Sequence, residues 1–198
     1  MPNITLPALE VIYKDLFVMQ PLYRMTRQWL MENAYTDPKD QNDTNLESGM
    51  EVLYWWRQGT HFNPNEKELR IWWRTIKSPI NVGTAGSAFY KHHIDIDWNV
   101  IQMVDREIMR EGKKEKVQFG ELRVVIRPYI EVADVSKTFL IKYFDYWFRT
   151  RLIKKNLEEN RKMLYQDAYR LQGTMKKYLE LKSFLPEEEV FHEKFQFI

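Results

Sequence analysis

The segment His92-His93-Ile94-Asp95-Ile96-Asp97 alternates titratable and aliphatic side chains. On a strand, residues two apart share a face at a spacing of about 6.6–7 Å, which brings His93, Asp95 and Asp97 into one row. Adjacent carboxylates so spaced suit a hard divalent cation. The same alternation, with Ile94, Ile96, Trp98 and Val100 opposing Asp95, Asp97 and Asn99, is also what an ordinary half-buried strand looks like. A second set is aromatic and cationic. Trp-Trp-Arg occurs as Trp55-Trp56-Arg57 and again as Trp72-Trp73-Arg74, on either side of His61-Phe62-Asn63-Pro64-Asn65-Glu66. Asn-Pro-Asn is turn chemistry, so the two runs are expected to fold back as a hairpin. That ribbon would carry four indoles with Arg57, Arg70 and Arg74. Strand alternation groups Leu69, Ile71 and Trp73 on one face and Arg70, Trp72 and Arg74 on the other. Arginine beside indole on an open sheet suits stacked bases and phosphates. It equally suits a protein interface anchored by Trp and Arg. The bland alternative is one core face and one face covered by the chain's own helices.

Gly86-Ser87 lies upstream of Asp95 and Asp97, and Glu131 falls on a later strand. This set resembles the nucleotidyltransferase pattern, where a Gly-Ser turn precedes a strand with two alternate acids and a neighbouring strand supplies a third. The resemblance implies Asp95, Asp97 and Glu131 as Mg²⁺ ligands of a phosphoryl-transfer site. Other chemistry is thinly represented. His61 and His192 have no evident partners, and none of Ser48, Ser78, Ser87, Ser136 and Ser183 sits in a nucleophile elbow. Gly83-Thr84-Ala85-Gly86 lacks the lysine and the strand-to-helix context of a phosphate or dinucleotide loop. No cofactor is expected.

Composition narrows the classes further. A chain of 198 residues is long enough to bury one core without staples. It has no cysteine, which excludes disulfides, thiolate metal sites and thiol catalysis. The net charge is only +2, so any nucleic-acid surface must be a local patch. Aromatic residues reach 15%, more than a small core needs, and the surplus points to contact with something else. The amino terminus has no signal-peptide pattern, and no run approaches the length of a membrane helix. A cytoplasmic or particle-associated location without membrane contact is the expectation.

The elements that must position these residues follow from periodicity. Pro7 suits a first helical position, and Leu9, Ile12, Leu16, Phe17 and Met19 recur at helical spacing. Pro21 interrupts, and Leu22, Met25, Trp29 and Leu30 resume, giving two short helices or one kinked helix over residues 8–34. Thr36 to Gly49 reads as a loop. Between residues 50 and 133 the period is two. The Trp-Arg hairpin comes first, then the strand around Ile94–Val100, then a hairpin turning at Glu111-Gly112-Lys113-Lys114. A long strand follows, with Leu122, Val124, Ile126, Ile130 and Val132 on one face and Arg123, Val125, Arg127, Tyr129 and Glu131 on the other. Pro128 inside that run predicts an edge or a bulge. Residues 136–182 return to period 3.6, with a bulky stripe from Phe139 to Ile153 that thins to Leu157, Leu164, Ala168, Leu171, Met175 and Leu179. Unbroken to Leu185, that helix would run about 70 Å. A domain of this size is roughly 40–45 Å across. The helix therefore either breaks near Lys154-Lys155-Asn156 or projects. Its second half is basic, which is more often a solvated face than a surface for an acidic partner or phosphates. The tail over 186–198 is acidic, then apolar, suited to docking on the chain's own sheet or on a neighbour.

The expected fold is a single α+β domain: an antiparallel sheet of five or six strands packed against a long carboxy-terminal helical segment and amino-terminal helices. The expected role is a non-enzymatic subunit of a larger assembly, such as a virus-like particle, with other protein subunits or further copies of itself as partners. Its interaction surface would comprise Trp55, Trp56, Arg57, Arg70, Trp72, Trp73, Arg74, Arg123 and Arg127. A nucleic-acid-binding module on the same face is the first alternative, and a metal-dependent transferase using Asp95, Asp97 and Glu131 is the second.

Overall fold

Six strands and two helices account for the residues described by the computed structural model, namely 3–36, 49–59, 64–78, 90–110, 113–132 and 154–181. They are β1 (Asn3–Thr5), β2 (Leu9–Phe17), α1 (Met19–Glu32), β3 (Glu51–Gln58), β4 (Lys67–Lys77), β5 (Tyr90–Arg110), β6 (Lys113–Val132) and α2 (Lys154–Tyr178). All strand pairs are antiparallel, in the order β1-β6-β5-β4-β3, with β2 beside β1 along the same edge of β6. The α+β class and the antiparallel sheet are as the sequence predicts. The aromatic stripe from Phe139 to Ile153, the Gly83–Gly86 segment and the tail over 186–198 lie outside the described residues. So does most of the Thr36–Gly49 loop.

One face of the sheet is apolar because inward positions alternate faithfully. Leu69, Ile71 and Trp73 on β4 point inward with Ile94, Ile96, Trp98 and Val100 on β5. Leu122, Val124, Ile126 and Ile130 on β6 complete the floor. On it, α2 lays Leu164, Ala168, Leu171, Met175 and Leu179, a run spaced three or four residues apart that forms one helical stripe. The start of α1 is pinned from two sides. The Gln118 side-chain oxygen accepts the Met19 N–H at 3.1 Å, and Tyr178 Oη donates to the Val18 carbonyl at 3.1 Å. Pro21 falls within the first turn of α1, where its absent N–H would have had no intrahelical acceptor. It therefore interrupts nothing.

Residues 9–17 form a strand, which corrects the helical expectation for the first half of 8–34. Apolar residues at 9, 12 and 16 imitate a helical stripe, yet Val11 is 1% exposed and Ile12 is 53% exposed. The inward set is Leu9, Val11 and Phe17, fixed by nine consecutive pairings from Leu9↔Ile126 to Phe17↔Gln118. An open edge on β6 decided the outcome, and nine residues are too few for periodicity to decide it alone.

Pro128 sits beside an irregularity in pairing, one of the two expectations for it, and not on an edge strand. It lies in β6, one strand in from the edge, opposite Ile94. Its carbonyl accepts the Leu6 N–H at 3.0 Å, so its ring nitrogen faces the β1/β2 side as well. The reciprocal donor to Leu6 is missing there, and regular pairing lapses between Thr5 and Leu9. Gly120 lies within β6 opposite a bulge in β5 between Ile101 and Val104. A Cβ there would stand 3.0 Å from Met103 Cα, and Gln102 in the bulge has a φ of 54°. Side-chain-free space is what lets the two longest strands stay continuous.

Candidate interaction surface

The hairpin expected from the repeated triplets is β3–β4, with Trp55 opposite Arg70 and Trp56 opposite Leu69. Its four indoles fall into three different surroundings. Trp73 is 2% exposed and meets Tyr23 and Trp98 edge-on, at centroid distances of 4.7 and 5.6 Å. It is core and leaves the predicted interaction set, because it shares the inward parity of Leu69 and Ile71. Trp55 and Trp72 face outward beneath arginines, with Arg70 and Arg74 at 5.4 and 5.7 Å from the ring centres. Trp56 is inward by parity but lies beyond the cover of α1 and is 58% exposed.

The outward face of the sheet is an ion-pair lattice. Arg74 reaches Asp95 at 3.4 Å and Asp97 at 2.7 Å, and Arg127 holds the second oxygen of Asp97. Arg123 pairs with Glu10, and Arg57 with Glu68 at 3.3 Å. Cross-strand register sets these partners: Asp95 faces Arg74 on one side and Arg127 on the other, and Asp97, two residues along the same face, is reached diagonally by both arginines. Burial raises the Asp95 pKa against the opposing pull of Arg74 and Arg127. The predicted residues Arg70, Trp72, Arg74, Arg123 and Arg127 are thus gathered on one face, with carboxylates set between the arginines.

The acids proposed as metal ligands do not converge. Glu131 lies opposite Lys91, four residues along the ladder from the Asp95–Arg127 pair, which is about 13 Å away. It binds His93 at 3.0 Å, and that imidazole stacks on Tyr129 at 4.5 Å. Among the described residues, no group of three His, Asp or Glu side chains is arranged to hold a metal ion. Gly86-Ser87 lies outside them.

Two features went unread in the sequence. Under the helices, Asp167 Oδ2 accepts from Tyr35 Oη at 2.9 Å and from Lys77 Nζ at 3.0 Å, and His92 Nε2 lies 2.9 Å from Asn160 Oδ1. Burial, then the Asp167 charge, drives the Tyr35 pKa up. No local signal joins residues 132 apart in sequence. The other feature is a groove of about 770 Å³ on the inward side of β3. Tyr54 and Trp56 form one wall, Met19 and Tyr23 of α1 the other, and Leu69 and Ile71 the floor. Glu51 closes one end and accepts from Tyr23 Oη at 2.5 Å and from Trp73 Nε1 at 3.4 Å. Burial, followed by the Glu51 hydrogen bond, pushes the Tyr23 pKa up to about 12. Asp105 stands at the far end, bound to Lys67 at 2.5 Å. The volume is that of a site able to enclose several side chains. The run Tyr54-Trp55-Trp56 was the available signal, but only the fold reveals that its first and last members share a trough.

Among the described residues, no helix is long and apolar enough to cross a membrane. Comparison with family models, with curated proteins and with solved structures returned no match.

Proposed function

We propose that this chain is a non-enzymatic subunit that binds other proteins in a larger assembly, using β3 and the groove beside it. The observation that carries the reading is the exposure of Val52, Tyr54 and Trp56 together on an eight-residue strand at the end of the sheet. Edge strands of monomeric proteins are normally shortened, charged or covered, because an open apolar edge invites pairing. Large aromatics clustered at a groove are also the residues that anchor protein interfaces. The outward face favours protein over nucleic acid. Arg74, Arg123 and Arg127 are committed to carboxylates, and affinity for nucleic acid rests chiefly on free cations meeting phosphates. The test compares native mass in extracts of the cells that make the protein. The wild type is expected to migrate well above its 24.2 kDa chain mass, and the Tyr54→Lys/Trp56→Lys variant at the chain mass. Migration of both at the chain mass refutes the reading.

A further inference from the structure

Resting on that reading, we propose that the partner contributes an extended segment that adds to β3 as a further antiparallel or parallel strand and packs alternate apolar side chains against Tyr54 and Trp56. The hydrogen-bond parity of the hairpin supports this. The Gly59 N–H donates to the Glu66 carbonyl at 2.8 Å, which marks that pair as hydrogen-bonded. In the same register, Arg57↔Glu68 and Trp55↔Arg70 bond inward to β4. The main-chain N–H and C=O groups of Tyr54, Trp56 and Gln58 therefore point to the free side of β3. Among the described residues, only β4 pairs with this strand.

These three residues also line the groove with their side chains. Main-chain donors and acceptors and exposed aromatic side chains thus lie along the same line of chain. A segment hydrogen-bonded to Tyr54, Trp56 and Gln58 turns every second side chain to the groove side, at intervals of about 6.6–6.8 Å. A helix offers no free main-chain groups to such an edge, and a small molecule would leave most of them unpaired. Strand addition satisfies both features together. The ligand class is an extended polypeptide with large apolar residues at alternate positions.

The experiment is selection of a random ten-residue peptide library on the intact protein, followed by N-methylation of each amide of an enriched peptide. Enriched sequences are expected to alternate large apolar and polar residues. N-methylation is expected to cut affinity more than tenfold at every second position and less than threefold between them. Enrichment of helix-spaced or proline-rich peptides, or uniform tolerance of N-methylation, overturns strand addition while leaving a protein-binding surface. Concentration-dependent dimerisation of the purified chain that Trp56→Lys abolishes overturns the foreign segment in favour of a second copy. Absence of any enrichment, with the purified chain a strict monomer, overturns both this inference and the reading beneath it.

Discussion

Acidification probes the interior through one group. His92 is fully enclosed beneath α2, and burial pulls its pKa down from 6.5 to about 4. The Asn160 hydrogen bond and the Asp167 charge push upward, while Lys77 and His93 add to the depression. A base held below its unfolded pKa binds fewer protons in the folded state. Its contribution to stability is complete above pH 6.5 and is lost as the pH falls toward 4. At about 1.4 kcal/mol per pH unit, that interval is worth roughly 3 kcal/mol. About 2 kcal/mol of it is lost by about pH 5. His92→Gln keeps an N–H for Asn160 and removes the titration. Urea unfolding of both proteins at about pH 7 and about pH 5 reads the effect, because the titrating groups remote from His92 are common to both. The wild type should lose about 2 kcal/mol more than the variant. Equal losses would refute the assignment of a buried neutral imidazole.

Three further outcomes follow from packing. Trp73→Ala removes an enclosed indole that touches Tyr23 and Trp98 and should cost about 3–5 kcal/mol in urea unfolding, whereas Trp56→Ala should cost under about 1 kcal/mol. Gly120→Ala forces a methyl against the backbone of the β5 bulge and should lower stability by about 1–3 kcal/mol, with a fall in melting temperature as the readout. Asp167→Asn leaves Lys77 without its counter-ion beneath α2 and should cost about 2–3 kcal/mol, and Tyr35→Phe should cost less because Lys77 keeps its partner.

Legibility in the sequence tracked the distance over which each decision was made. The alternation in β4, β5 and β6 is local and regular, and it gave the sheet, its inward face and the grouping of Arg70, Trp72 and Arg74. The stripe from Leu164 to Leu179 was equally plain and is buried as read. Leu9–Phe17 was not legible, because its apolar residues fit two periods and the vacant side of a strand more than a hundred residues later chose between them. Trp73 and Trp56 differ in exposure although both point inward. That difference depends on how far α1 extends across the sheet, which no short window contains. The acids at 95, 97 and 131 suggested a shared ion by type and spacing. Register separated Glu131 from the other two and supplied each with a cation or imidazole instead.

The attachment of the first strands to β6 has a consequence during synthesis. Among the described residues, the strand that pairs with Leu9–Phe17 is Gln118–Ile126, more than a hundred residues downstream. At about 5–20 residues per second, a translating ribosome needs roughly 5–25 s to deliver them. Through that interval the nascent chain carries a nine-residue segment whose inward residues Leu9, Val11 and Phe17 have no cover from β6. Closure of the sheet is therefore a late event in the life of the polypeptide, and the stretch around Val11 is where a chaperone would have most to hold.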